Sequence, residues 1–139
     1  MHFNALIPEL NVSDFEKSFA FYTQILGFHM EYGRDEDKFA FLSLQRNQLM
    51  IEQVSASWQT GPLEYPFGRG MNLSIEVDSL DVLLQSLRNH QYPLFREPKD
   101  NWRRKDQTLL GDREFLVLDP DGFLLRFTQP LGERPVTAA

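Results

Sequence analysis

The chain has 139 residues, no cysteine, a formal net charge of −6 and 42 % hydrophobic residues, which is one domain's worth of chain with enough apolar content for one core and no means for disulfide or thiolate chemistry. The acidic balance disfavours nucleic acid, whose binding rests on neutralising phosphates, and suits a cationic ligand through long-range attraction. No apolar run approaches the roughly 20 residues of a membrane span, and "MHFNALIPELNVSD" lacks a basic start followed by a long apolar stretch, so the expectation is a cytoplasmic protein without a signal peptide.

Residues 3–9, "FNALIPE", read as a short strand interrupted at Pro8, which cannot donate to a ladder and so marks an edge or crossing strand. "NVSDFEKSFAFYTQILGF" predicts a helix. Ser13 is a good N-cap, Glu16 completes a capping box, and Phe15, Phe19, Tyr22 and Leu26 share one buried face. Gly27 stops the helix. Strands are predicted over residues 28–32, 39–44 and 48–54, the last two joined by the turn "QRNQ". Residues 55–70, "SASWQTGPLEYPFGRG", hold three Gly and two Pro and read as a linker.

The second half repeats the plan. Residues 71–77 predict a strand, and Asp78 or Ser79 caps a helix with Leu80, Leu83, Leu84 and Leu87 on its buried face. A strand starts near residue 94, a weaker one covers 104–110, and 113–118 with 123–129 form a hairpin over "DPDG". Arg126 stands in the middle of that last, otherwise apolar strand. Laid without gaps, "FLSLQRNQLMIE" over "FLVLDPDGFLLR" sets Glu52 on Arg126, and "IPELNVSD" over "NLSIEVDS" sets Ile7 on Asn72. The expectation is an α+β fold of two β-α-β-β-β modules in one domain: module one 1–54, linker 55–70, module two 71–129, tail 130–139.

This pattern resembles the vicinal oxygen chelate superfamily, which includes glyoxalase I, extradiol dioxygenases, fosfomycin resistance enzymes and bleomycin resistance proteins. The resemblance implies a curved sheet cup. In the metalloenzymes each module supplies one ligand from its first strand and one from its last, and the matching positions here are Ile7, Glu52, Asn72 and Arg126. Ile7 cannot ligate, Asn72 is a weak donor, and Arg126 is a permanent cation that repels a metal. No metal and no cofactor are therefore expected. Glu52 is placed to pair with Arg126 across the cup, since buried charges are expensive unless paired.

"PELNVSDFEKSFAFYTQILGF", "FAFLSL", "LMIE", "TGPLEYPFGRGMNLSIEVD" and "REFLVLDPDGFLLRF" together resemble the bleomycin resistance proteins, over residues 7–132. That resemblance implies a non-enzymatic antibiotic-binding protein. It also implies a homodimer that exchanges its N-terminal arm, with two ligand crevices at the interface. The ligand class has a flat aromatic tail and a cationic end, and aromatic faces grip such a tail. The matching residues are Phe39 and Trp102, with Trp58 as a further wall and Glu52, Asn72 and Arg126 as polar contacts. Phe39 fits a core position equally well, and Trp58 equally fits a packed linker. Trp102, in "DNWRRK", has no apolar neighbours in its own segment. The alternative is a metal-dependent lyase, transferase or dioxygenase of the same superfamily with a displaced site, such as Glu9, Glu52 and a His. His2, His29 and His90 are scattered and form no metal-binding motif. Neither nucleic acid nor membrane is expected as a partner.

Overall fold

In "ELNV" every second residue is apolar, the period of a strand with one wet face. The computed structural model describes residues 1–55 and 58–136. It makes this stretch β1 (Glu9–Val12), with Leu10 and Val12 buried. There follow α1 (Phe15–Ala20), continued by a π-helical turn (Phe21–Ile25), then β2 (His29–Arg34), a 3-10 turn (Asp35–Asp37), β3 (Phe39–Leu44) and β4 (Asn47–Gln53). The second half runs β5 (Leu73–Glu76), α2 (Asp81–Asn89), β6 (Arg96–Lys105), β7 (Thr108–Leu118) and β8 (Leu124–Pro135). The strands form two four-stranded sheets of the same order, β1-β4-β3-β2 and β5-β8-β7-β6. In each, the first strand lies parallel to the last and the other pairs are antiparallel. The predicted α+β plan of two β-α-β-β-β modules is what the chain adopts. Among the described residues no helix is long and apolar enough to cross a membrane.

Two compact units result, one of residues 1–70 with 119–123, the other of residues 71–118 and those from 124 on. In the first, Leu10, Val12, Ala40, Leu42, Leu49 and Ile51 are buried on one sheet face. Gln53, of the same parity on β4, accepts the Phe15 amide of α1 at 2.9 Å, so this is the face beneath the helix. In the second, Ile75, Phe115, Val117, Leu125 and Phe127 fill the core with Leu80, Leu83 and Leu87 of the α2 segment.

Several boundaries differ from expectation. The first strand begins after Pro8 rather than around it, and the Pro8 carbonyl accepts the Met50 amide at 2.9 Å. Asp14, not Ser13, caps α1, accepting the Lys17 amide at 3.2 Å. The predicted strand at 104–110 straddles a tight turn at Asp106 and Gln107, since β6 and β7 close as Lys105 opposite Thr108. Asp106 sits at φ 55° there, a left-handed conformation that Asp tolerates. The predicted tail enters β8 as far as Pro135, paired with Thr108. Part of the predicted linker is packed: the Phe67 amide donates to the Asp121 carbonyl at 2.8 Å, and Phe67 meets Phe123 edge-on at 5.8 Å.

The N-terminal arm docks on its own sheet. The Asn4 amide donates to Gln48 Oε1 at 2.7 Å, Gln48 Nε2 donates to the His2 carbonyl at 2.6 Å, and Phe3 packs edge-on against Phe41 at 5.3 Å. The argument for an exchanged arm placed Pro8 inside a strand. With Pro8 ahead of β1, and β1 laddered to its own β4 from Glu9 to Val12, that argument fails.

Candidate functional site

Strand pairing lays the face of the first sheet turned away from α1 out as two rows, in which Phe39 and Phe41 are buried. Residues opposed across a sheet share a face, and strands lie about 4.8 Å apart. One row runs Tyr32, Phe41, Met50, Glu9, and the next runs Arg34, Phe39, Glu52, Asn11. Aromatic rings therefore stand at one end and carboxylates at the other. Tyr32 stacks on Phe41 with centroids 5.3 Å apart and planes 13° apart, and is 39 % exposed. The Arg34 guanidinium carbon lies 4.0 Å from the centre of the Phe39 ring, and Arg34 Nε is 3.1 Å from Asp37 Oδ2. Phe39 is consequently buried, under Tyr32 and Arg34, and is no open platform.

The acidic end carries strain of charge. Burial pushes the Glu9 carboxyl above its ordinary pKa, the neighbouring Glu52 charge pushes it further, and Arg34 pulls it down in part. The carbonyl oxygen of the Asn11 side chain, opposite Glu52, is buried and takes no hydrogen bond from the protein. Beside them opens a recess of about 410 Å³ lined by Glu52, Gln53 and the Glu36, Asp37 and Lys38 turn. Such a face offers a ring to a flat aromatic group and negative charge to a cation two to three strand spacings along, roughly 10–14 Å away.

In the second unit Arg126 finds its partner nearby. Its Nη1 lies 3.6 Å from Glu114 Oε2 on β7, and Arg103 bridges Asp112 at 2.8 Å and Glu114 at 3.4 Å. Arg126 therefore has a counter-charge on its own sheet, and the expected need for Glu52 falls away. Arg126 Nε and Glu114 Oε2 remain buried without hydrogen-bond partners. The gapless match of the two hairpins also needs correction. The first closes on two residues, Leu44 opposite Asn47, while the second closes on five, Leu118 opposite Leu124. Matched through the parallel strand pairs, Glu52, opposite Asn11, corresponds to Thr128, opposite Glu76, and not to Arg126, while Gln53 and Gln129, which accept the Phe15 and Leu80 amides, correspond to each other.

Trp102 lies on the other side of that sheet. It stands opposite Gly111 and Arg126 opposite Leu116, an odd separation along β7 that puts the two side chains on opposite faces. The indole rests on Gly111, where an added Cβ would fall 2.5 Å from ring carbon Cζ3, and the Arg134 guanidinium covers it at 3.9 Å from the ring centre. The local packing surface missing from its own segment comes from the neighbouring strands. Asn72 is exposed ahead of β5, and Trp58 is 63 % exposed on the loop after β4. Of the six predicted site residues, only Phe39 and Glu52 are opposed to each other. Tyr32, Arg34 and Glu114 were missed, and pairing β3 with β4 about the centre of "QRNQ" sets Phe39 opposite Val54, two residues from its observed partner Glu52. Among the described residues no three His, Cys, Asp or Glu side chains stand close enough to hold a metal, so Glu9, Glu52 and a His are not assembled into the alternative site.

Two β-α-β-β-β units of identical strand order, together with sequence matching over residues 2–127 to the family described as the Glyoxalase/Bleomycin resistance protein/Dioxygenase superfamily, decide the family. The chain belongs to that superfamily. It is 32 % identical over 135 residues to the bleomycin resistance protein of Geobacillus stearothermophilus, covering 90 % of this chain and 96 % of the relative, and equally similar to that of Staphylococcus aureus. Solved structures share the superfamily fold. TioX from Micromonospora sp. ML1 is 17 % identical with a TM-score of 0.70, over 92 % of this chain and 99 % of the other. The glyoxalase/bleomycin resistance protein/dioxygenase from Alicyclobacillus acidocaldarius is 18 % identical with a TM-score of 0.64, over 92 % of each chain.

Proposed function

We propose that this member of the superfamily is a binding protein that sequesters a bleomycin-like glycopeptide or a similar flat, aromatic, cationic molecule, and that it does so without a catalytic metal. The observation that carries this reading is the face of the first sheet turned away from α1, with exposed Tyr32 stacked on buried Phe41 at one end and Glu9 and Glu52 at the other. Similarity to proteins named for bleomycin resistance supports it. In this reading Tyr32 receives the aromatic tail and Glu52 the cation. Phe39 backs the aromatic end, Trp58 is an exposed ring available to a ligand, and Asn72 and Arg126 are polar contacts. The chain works as a homodimer whose second copy completes the crevice.

The test is titration with bleomycin, copper-free and copper-loaded, followed by calorimetry and by the fluorescence of Trp58 and Trp102. Saturable binding weakened by Glu52→Gln and by Tyr32→Ala is expected. The bleomycin resistance protein of Geobacillus stearothermophilus serves as control, and heat from the control with none from this chain would remove the reading. Stoichiometric zinc, nickel or iron in protein purified without chelators, lost in Glu52→Gln, would favour a metal-dependent enzyme instead.

A further inference from the structure

The second sheet has a recess of its own, about 350 Å³, on the face turned away from α2. That volume falls within the roughly 300–1,000 Å³ of small-molecule sites. Gln129 accepts the Leu80 amide and so points to the helix, which turns its neighbour Thr128 the other way. Thr128 lies between Glu76 of β5 and Glu114 of β7, and the next pair along β7 and β8 is Asp112 with Pro130. Beyond a bulge, Leu110 stands opposite Glu133. The lining divides into an apolar part, with Leu110 and Pro130, and the carboxyl residues Glu76, Asp112 and Glu133.

Two observations mark the recess as a place for a ligand. The first is Thr128, which is 8 % exposed and whose hydroxyl has no hydrogen-bond partner among the described residues. That hydroxyl is not sealed in, as Arg126 Nε and Glu114 Oε2 are, and its opening is the recess. It offers one donor and two lone pairs to whatever enters. The second is charge, since three carboxyl residues and no cation line the recess. The cations of this face gather instead about Glu114, which is not part of the lining: Arg103 at 3.4 Å, Arg126 at 3.6 Å, and Lys99 opposite it on β6. Arg103 also holds Asp112 Oδ2 at 2.8 Å, while Asp112 Oδ1 has the Asn101 side-chain amide at 3.5 Å.

The carboxylates are not gathered for a metal ion, because among the described residues no three His, Cys, Asp or Glu side chains stand close enough to hold one. Carboxylates spread about an apolar patch, with an unpartnered hydroxyl between them, suit a cation that brings an apolar body. A primary ammonium has three N–H donors and no acceptor, the complement of such a set. We propose that this recess binds a small organic cation, a primary ammonium on a short apolar chain. The chain lies on Leu110 and Pro130, and the ammonium donates to the Thr128 hydroxyl and Asp112 within the field of Glu76 and Glu133. The recess shares no residue with the face of the first sheet, so the two sites stand or fall separately.

Titration of the whole chain with n-hexylammonium, followed through the amide resonances of Leu110, Gly111 and Gly132, tests this. Saturable shifts in the millimolar range are expected at these positions. Hexanol, of the same length and uncharged, should bind about tenfold more weakly or worse, and hexanoate should not bind. Thr128→Val keeps the side-chain shape and removes only a hydroxyl without a partner, so the fold is retained. It should weaken hexylammonium by about tenfold, the worth of one hydrogen bond from a charged group. Glu133→Gln should weaken it further and flatten its dependence on salt. Calcium chloride at matched ionic strength serves as the metal probe. Shifts that do not saturate, equal affinities for hexanol and hexylammonium, an unchanged affinity in Thr128→Val, or displacement by calcium would each overturn the proposal.

Discussion

Replacing Gly111 with Ala asks whether the Trp102 indole is held on the sheet or free to grip a ligand. A Cβ there would stand 2.5 Å from Cζ3, 2.6 Å from Cη2 and 2.7 Å from Cε3 of the ring. Carbons touch at about 3.5–4.0 Å, so the ring must lift by about 1 Å. Lifting drives it into the Arg134 guanidinium, 3.9 Å from the ring centre. Overpacking of this kind costs about 1–3 kcal/mol, and a disturbed cation–π contact about 0.5–1 kcal/mol more. Gly111 is not among the glycines held at positive φ, so Ala brings no backbone strain and restricts the unfolded chain, a gain of about 0.4–1 kcal/mol. The net expectation is a loss of about 1–3 kcal/mol. In Trp102→Ala the obstacle is gone, and the same change should be neutral or slightly stabilising. Urea unfolding of the four proteins gives the coupling, expected at about 1–3 kcal/mol. Equal effects of Gly111→Ala in both backgrounds would refute the packing argument and return Trp102 to the list of free ligand-gripping rings.

Phe39→Ala should destabilise by about 3–5 kcal/mol, the cost of emptying a buried aromatic site, so any loss of binding in that variant must be read on the folded fraction. Glu52→Gln should lower the Glu9 pKa, because the Glu52 charge is one of the two causes raising it, and a carboxyl titration by NMR reads the change. Arg126→Met should cost about 1–3 kcal/mol by leaving Glu114 half-paired, and Glu114→Gln in the same chain should recover part of it in a double-mutant cycle. Trp58→Ala should leave stability within about 0.5 kcal/mol while removing the more exposed of the two fluorophores.

The architecture was legible because its signals are local. The apolar run "FAFLSL" predicts β3 to the residue, Phe39–Leu44, and the leucines of "LDVLLQSL" mark the face of α2, with Leu83 and Leu87 buried. The errors fall where side chains answer to distant partners. Ser13 has the chemistry of an N-cap, yet its hydroxyl and amide go to Asp121, 108 residues away, and the cap passes to Asp14. Pro8 has the chemistry of a strand breaker, yet it only precedes the strand. Lys105 and Thr108 close a hairpin on Asp106 and Gln107, a turn without the Gly that would have announced it.

The pairing of the candidate residues was only partly legible, because it depends on turn length. A strand flips its side chains with every residue, so each miscounted turn residue moves a whole row to the other face. "QRNQ" and "DPDG" look interchangeable as turn signals, but one closes on two residues and the other on five. That difference of three is shared between the strands, which slip against the gapless match by one residue on β7 and two on β8, so Glu52 is matched by Thr128 rather than by Arg126. It also explains the aspartates. Two extra carboxylates in a two-residue turn would point at water, whereas a five-residue loop is long enough to fold Asp119 and Asp121 inward onto Tyr22 and Ser13. The loop length that shifted the match of Glu52 is the same feature that brings Asp119 and Asp121 onto the donors of Tyr22 and Ser13.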